Sequence, residues 1–262
     1  SASALYRRVP DFWPNYAPLP EGYGAPTGPL PVSLMDIPVE RLEAFVAAGA
    51  DIVGGHTSIG AELTIGFTVT GWAERVIAKG GARVGDVLVL TKPLGTGTIL
   101  AAEMAGTALP GGLLGEAVAG AFASMTNSPA LAAAILREGA TALTDVTGFG
   151  LAGHLMEICE ASGTAATLSL AEIPLLPGAA ALAALGVAST LAPANRAALI
   201  GRIAAPTTPE AALLFDPQTA GGFLAALPAG RAEETLAALH RVGIQAARIG
   251  MVTQGPPRIT VR

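Results

Sequence analysis

The sequence predicts a mixed α/β protein, and three observations carry that prediction. Residues 87–90, Val-Leu-Val-Leu, form a short apolar run between Gly85-Asp86 and Thr91-Lys92-Pro93, the pattern of a buried strand. Leu63, Ile65, Phe67 and Val69 alternate with Thr64, Gly66, Thr68 and Thr70, the period-two pattern of a half-buried strand. Leu151, Leu155, Ile158 and Cys159 fall on one helical stripe. Segments of the two periods alternate along the chain, which places it in the α/β (α+β type) class.

Composition bounds the function. The 262 residues suffice for one large domain or two modest ones with a substantial core. A chain that is 51% hydrophobic and 13% charged lies far from the disordered class. The net charge of −5, with no Lys/Arg run, argues against a nucleic-acid partner. A single cysteine excludes an internal disulfide framework and a cysteine-only metal site. The start lacks a basic region followed by an apolar one, so no secretory signal is read. The longest charge-free stretch, residues 173–195, is interrupted by Pro174, Pro177, Gly178, Gly186 and Pro193. It reads as loop plus short buried helix, because a membrane span needs about 20 mostly apolar residues. The expectation is a soluble, cytoplasmic protein with no membrane partner.

Taken in order, residues 1–33 stand apart. Pro10, Pro14, Pro18, Pro20, Pro26, Pro29 and Pro31 alternate with Tyr6, Phe12, Trp13, Tyr16 and Tyr23, without either periodicity. Proline has no N–H to give a ladder or helix interior, so this is read as an extended arm. Residues 34–47 follow with Leu42, Phe45 and Val46 at helical spacing, and residues 50–53 read as a short strand ending in Gly54-Gly55-His56-Thr57. Paired glycines at a strand end let a ligand approach the backbone closely. His56 reads either as a ligand contact or as a turn residue satisfied by local hydrogen bonds.

After the strand at residues 87–90 comes the loop Thr91-Lys92-Pro93-Leu94-Gly95-Thr96-Gly97 and a helix over residues 98–105. The dinucleotide fingerprint fails, because Leu100 stands where a third glycine or alanine is required. Lys92 is placed to reach a phosphate, although no Walker-type loop occurs. Residues 117–125 and 129–138 read as alanine-rich helices. Residues 140–144 then run into Asp145, a glycine-rich turn and a new helix. This layout sets a carboxylate at a strand tip beside helix-start N–H groups, a corner suited to a phosphate and its metal ion. The same residues also suit a tight turn with an Asp cap. In the following helix Cys159 reads as a small core residue and His154 as a structural histidine beside the stripe. Residues 213–224 read as a turn between short strands. Residues 231–242 read as an amphipathic helix with Ala232, Leu236 and Leu239 inward and His240 toward solvent. Residues 247–252 read as the closing strand.

Four motifs occur in a set order: Gly54-Gly55-His56-Thr57, the segment from Gly85 to Gly97, Thr144-Asp145-Val146-Thr147-Gly148-Phe149-Gly150-Leu151-Ala152-Gly153-His154, and Asp216-Pro217-Gln218-Thr219-Ala220-Gly221-Gly222. Over residues 34–252 the chain resembles the selenophosphate synthetases (selenide, water dikinases). The resemblance implies an aminoimidazole-ribotide-synthetase-like two-domain fold, with an amino-terminal α/β domain that dimerises through its sheet and a carboxy-terminal α/β domain. On that basis residues 1–33 are the arm, 34–82 the remainder of an apparently incomplete, ATP-binding and dimerising amino-terminal domain, and 83–262 the carboxy-terminal domain. It further implies transfer of phosphate from ATP to selenide, yielding selenophosphate, AMP and orthophosphate, with Mg2+ as cofactor. Asp145 matches the family's metal-binding aspartate, and Gly54, Gly55 and His56 match its ATP-contacting motif. The expected partners are ATP, selenide and a second copy of the chain.

The sequence also departs from the family pattern. The family's front part carries a glycine-rich loop with a reactive cysteine or selenocysteine and a lysine, and two further metal-binding aspartates. Residues 1–53 contain none of these motifs, and Asp36 and Asp51 lie in other contexts. No catalytic residue is assigned. The alternative function is therefore a catalytically incomplete nucleotide-binding or dimerisation module of the same fold.

Overall fold

The computed structural model describes residues 49–51, 68–73 and 75–262. The chain divides into two compact units, Ser1–Ala73 and Glu74–Arg262. The arm, the helix expected at residues 34–47 and the Gly54-Gly55-His56-Thr57 motif lie outside the described residues, as does most of the alternating strand at 63–70. Residues 68–70, the end of that expected strand, are exposed and lie in no strand.

In the second unit the elements run β1 (Val87–Leu90), α1 (Thr96–Met104), α2 (Leu114–Thr126), α3 (Ala130–Leu136), β2 (Ala142–Asp145), α4 (Gly150–Ser162), β3 (Ala165–Leu168), α5 (Ala179–Ala184), α6 (Ala192–Ala198), β4 (Ile203–Ala204), α7 (Pro209–Ala212), β5 (Phe223–Leu227), α8 (Ala229–Arg241), β6 (Ala247–Thr253) and β7 (Ile259–Val261). The strands form one seven-stranded sheet in the order β2-β5-β1-β6-β3-β7-β4. Pairing is antiparallel from β2 to β3 and parallel for β3–β7 and β7–β4.

The sheet is covered on both faces, which is why β1 is apolar throughout rather than alternating. Leu88 and Leu90 face one layer with Leu224, Ala226, Ile249 and the α4 stripe of Leu151, Leu155, Ile158 and Cys159. Val87 and Val89 face the opposite layer with Ala225 and Leu227, against Ala132 and Leu136 of α3 and Ala232, Leu236 and Leu239 of α8. The register keeps these sets apart, since Val87 pairs with Leu227 and Leu88 with Ala226. A third cluster joins Ile99 and Ala102 of α1 to Ala117 and Ala121 of α2 and to Ala179 and Leu182 of α5.

Three elements differ from expectation. Leu213–Phe215 is a 3-10 turn rather than a strand. Thr208 caps α7 by accepting from the Ala211 N–H at 3.2 Å, and the helical turns run on through Phe215. Helix α1 begins at Thr96, two residues early, for a tertiary reason described below. Strand β6 does not close the sheet, because β7 follows and pairs in parallel with β3. Among the described residues no single helix is long and apolar enough to cross a membrane.

Candidate functional site

Asp145 is the last residue of β2, an edge strand, and its side chain is exposed. Its backbone position is set by pairing with Phe223. The ladder runs on for one further residue, with the Val146 N–H donating to the Gly222 carbonyl at 2.8 Å. The chain then turns through Thr147, Gly148 and Phe149 into α4. The Thr147 carbonyl accepts from the Gly150 N–H at 3.0 Å and from the Gln218 N–H at 2.9 Å. Asn195, on α6, donates through Nδ2 to the Gly148 carbonyl at 2.8 Å and the Phe215 carbonyl at 3.0 Å. Gly150 has φ +69°, and a Cβ there would stand 2.8 Å from the Leu214 oxygen, so only glycine fits. The turn is therefore braced from three sides before any ligand arrives.

This geometry bears on the two readings of Asp145. The residue flanking α4 at its N-terminus is Phe149, and no side chain caps that helix. Asp145 lies outside the helix start, with an exposed carboxylate at the strand tip. It can supply oxygens to a hard cation. Mg2+ is commonly held by one or two carboxylates, with phosphates and water completing its shell. Among the described residues no group of three or more His, Cys, Asp or Glu side chains gathers into a metal site. A single exposed carboxylate can serve as one ligand of such a shell and leaves the rest of it to other groups.

The Asp216 motif does something the sequence did not disclose. Asp216 is 1% exposed and accepts from Thr98 Oγ1 at 2.8 Å and Gln218 Nε2 at 2.9 Å. Gln218 Oε1 in turn accepts from the N–H groups of Gly95 (3.0 Å) and Thr96 (3.2 Å) and from Thr96 Oγ1 (3.1 Å). These groups satisfy the otherwise unpaired donors that start α1, and they begin the helix two residues early. Gly97 is required by proximity, since a Cβ there would lie 2.4 Å from the Pro217 oxygen. Burial pushes the Asp216 carboxyl above its usual range, opposed by the hydrogen bonds from Thr98, Gln218 and Gly97. The Gly-x-Gly turn after β1 is thus a lock between two loops of the domain.

Lys92, which the sequence placed within reach of a phosphate, is occupied. Its Nζ donates to the carbonyls of Ser124 (2.8 Å), Asn127 (2.8 Å) and Ala220 (3.0 Å). An ammonium has three protons, and here each has a partner. Two of the carbonyls belong to the end of α2, where a cation offsets unpaired acceptors and the helix dipole. Burial lowers the Lys92 pKa from its ordinary value.

His154 is 4% exposed, with Nδ1 3.0 Å from Glu157 Oε2 and Nε2 3.3 Å from Thr147 Oγ1. Glu157 Oε2 also accepts from Lys79 Nζ at 2.7 Å. The expectation of a structural histidine agrees with this burial, but its link to the Asp145 turn was not legible. Cys159 is buried in the core, and burial first, then the Glu160 charge, pushes its thiol up to about 11, with Arg202 opposing. A groove of ≈ 170 Å³ between α4 and α6 is lined by Phe149, Met156, Glu157, Glu160, Asn195 and Arg202. Its two carboxylates disfavour a polyphosphate.

The sheet and its covering helices define the fold class. Residues 83–262 match the family model described as AIR synthase related protein, C-terminal domain. The E. coli HypE structure superposes with a TM-score of 0.52 at 23% identity, covering 71% of this chain and 48% of that one. The thiamine-monophosphate kinase of Stenotrophomonas maltophilia K279a superposes with a TM-score of 0.50 at 16% identity, covering 71% and 52%. Both support the fold alone. Among curated proteins, the selenide, water dikinase of Myxococcus xanthus (strain DK1622) is 40% identical over 223 residues, 82% of this chain and 62% of that protein. The selenide, water dikinase of Pelobacter propionicus is 38% identical over 238 residues, 86% of this chain and 67% of that protein. The chain belongs to the selenide, water dikinase family, and it spans about two thirds of the length of these relatives.

Proposed function

We propose that this chain carries the carboxy-terminal part of a selenophosphate-forming site, where ATP, selenide and water give selenophosphate, AMP and phosphate. The observation that carries this reading is Asp145, an exposed carboxylate on a braced strand tip beside the uncapped start of α4. In this reading Asp145 holds Mg2+, which when bound offsets the charge of the polyphosphate. Gly54, Gly55 and His56 contact ATP, and residues 34–82 belong to an ATP-binding, dimerising domain. Phosphoryl transfer depends mostly on positioning and charge stabilisation. The chain's own contribution is rigidity: the Thr147 and Gly148 carbonyls are pinned, so the backbone of the turn after Asp145 need not be ordered when the nucleotide binds. The protein works as a cytoplasmic homodimer, for which light scattering at micromolar concentration is the check.

A second reading is a nucleotide-binding or dimerisation module of the same fold without turnover. Phosphorus NMR of the chain with ATP, Mg2+ and selenide separates the two. Magnesium-dependent nucleotide binding without a selenophosphate signal identifies the module. A selenophosphate signal identifies the enzyme. Neither binding nor turnover refutes both.

A further inference from the structure

We propose that residues 75–82 are a releasable strap. Closed, the strap covers the outer edge of β2; opened at Gly80-Gly81, it lengthens the link between the two units of the chain.

The strap opens the second unit and leads toward β1. Strand β2 is the edge of the sheet, with β5 as its strand neighbour. An edge strand carries outward backbone groups that invite pairing with another chain unless they are covered. Here the Leu143 N–H donates to the Ala78 carbonyl at 3.0 Å. Among the described residues this is the single backbone hydrogen bond from β2 to the strap. The strap is pinned on both sides of it. The Arg75 guanidinium donates to the Ala140 carbonyl at 2.8 Å and the Arg137 carbonyl at 3.3 Å, just beyond α3. Lys79 Nζ lies 2.7 Å from Glu157 Oε2 on α4. The N–H groups of Gly81 and Ala82 donate to Ser162 Oγ, on the last residue of α4, at 3.2 and 3.1 Å.

These contacts order the strap without making it part of the core. Arg75, Val76 and Ala78 are exposed, and Ile77 is the one large apolar side chain that the strap packs against the sheet cluster. Its pins are polar contacts near the surface, each individually weak. Few buried apolar contacts and solvent-accessible hydrogen bonds mark a segment that opens locally, at a cost below that of global unfolding. Opening stops at Ala82, which is buried in the core with Leu88 and Leu90. Gly80 and Gly81 stand at that border. A Cβ on Gly80 would lie 2.9 Å from the Ala161 oxygen, and one on Gly81, at φ +122°, 2.6 Å from the Thr141 oxygen. The closed strap therefore needs both glycines to seat, and the same residues give the backbone freedom to swing. While the strap is closed the link from the first unit ends at Arg75. Release adds residues 75–82 to it, up to about 28 Å of extended chain, and neither unit unfolds.

Native-state amide hydrogen exchange on the 262-residue chain, read residue by residue by NMR, tests the proposal. Strand β2 carries its own control: the Thr141 N–H bonds to Ala226 of β5, whereas the Leu143 N–H bonds to the strap. The Leu143, Gly81 and Ala82 amides are expected to exchange as one group, at least about tenfold faster than Thr141. Two variants at opposite ends are each read at the far end. Arg75→Gln is expected to accelerate Gly81 and Ala82 by about tenfold, the scale of one charge-assisted hydrogen bond, and to leave Thr141 unchanged. Ser162→Ala is expected to accelerate Leu143 and again spare Thr141. Exchange of Leu143 at the Thr141 rate overturns the proposal, because the strap then opens only with the whole domain. Acceleration confined to the amides nearest each substitution overturns it too, because the contacts are then independent. Equal acceleration of every amide, Thr141 included, reports global destabilisation and also overturns it.

Discussion

Gly148 and Gly150 sit two residues apart in one motif, yet the structure assigns them different burdens. Gly150 has φ +69°, and a Cβ added there would lie 2.8 Å from the Leu214 oxygen, 2.9 Å from the Phe215 carbonyl carbon and 3.1 Å from the Asp216 oxygen. All three are backbone atoms of a segment pinned by Asn195 and packed beneath α4, so they cannot rotate aside. Gly150→Ala therefore incurs the left-handed backbone cost of about 1–2 kcal/mol. It also incurs an overpacking cost of about 1–3 kcal/mol. The sum, about 2–5 kcal/mol, corresponds to a fall in melting temperature of roughly 4–20 °C for a domain of this size. A Cβ at Gly148 meets nothing within 4 Å and its φ is not left-handed, so Gly148→Ala should change stability by about 0.5 kcal/mol at most. Thermal unfolding followed by circular dichroism compares the two variants side by side. Equal melting temperatures for Gly150→Ala and Gly148→Ala would refute the close-approach argument.

Further predictions concern the buried polar groups. Lys92→Met leaves three carbonyls without their donor and should cost about 2 kcal/mol, allowing for partial solvent access; unchanged stability in urea unfolding would restore Lys92 as a candidate phosphate ligand. Cys159, with its thiol pushed up to about 11, should have about one thiolate in a thousand at pH 8 and react with a disulfide reagent only after unfolding; rapid native labelling would contradict its burial. Asp216 carries a folded-state pKa above its ordinary 3.8, so the folded state binds the proton more tightly and this group's contribution to stability falls as pH rises from about 4 through the folded value. Asp216→Asn should flatten that slope in urea midpoints measured across the acid range, and an unchanged slope would assign the pH dependence elsewhere.

Much of this domain was legible because its periodic segments are strong. The run Val87–Leu90, the Leu151, Leu155, Ile158 and Cys159 stripe, and the inward set Ala232, Leu236 and Leu239 all lie where their spacing placed them. Strands β4 and β7 were missed because they are two and three residues long, and β3 because its Ala-Ala-Thr-Leu run has no β-branched apolar character like the Val-Leu-Val-Leu of β1. The Asp145 turn was readable as a strand tip followed by a helix start, because that is local. The Asp216 motif was readable only as a turn, because its role is a tertiary contact with Thr98, 118 residues away. Lys92 misled for the same reason, since its three partners come from the end of α2 and from Ala220. Local pattern carries elements and their faces; it does not carry which loop satisfies which helix end.

The most direct test of Asp145 as a cation-holding carboxylate is calorimetry with a non-hydrolysable ATP analogue, with and without Mg2+. The substitution Asp145→Asn keeps size and one acceptor oxygen and removes the charge. Asparagine also suits a turn before glycine, so melting should be nearly unchanged. The expected result is Mg2+-dependent binding by the wild type and loss of that dependence, by about tenfold or more in affinity, in Asp145→Asn. Identical Mg2+-dependent affinities for the two proteins would show that Asp145 is only a turn residue.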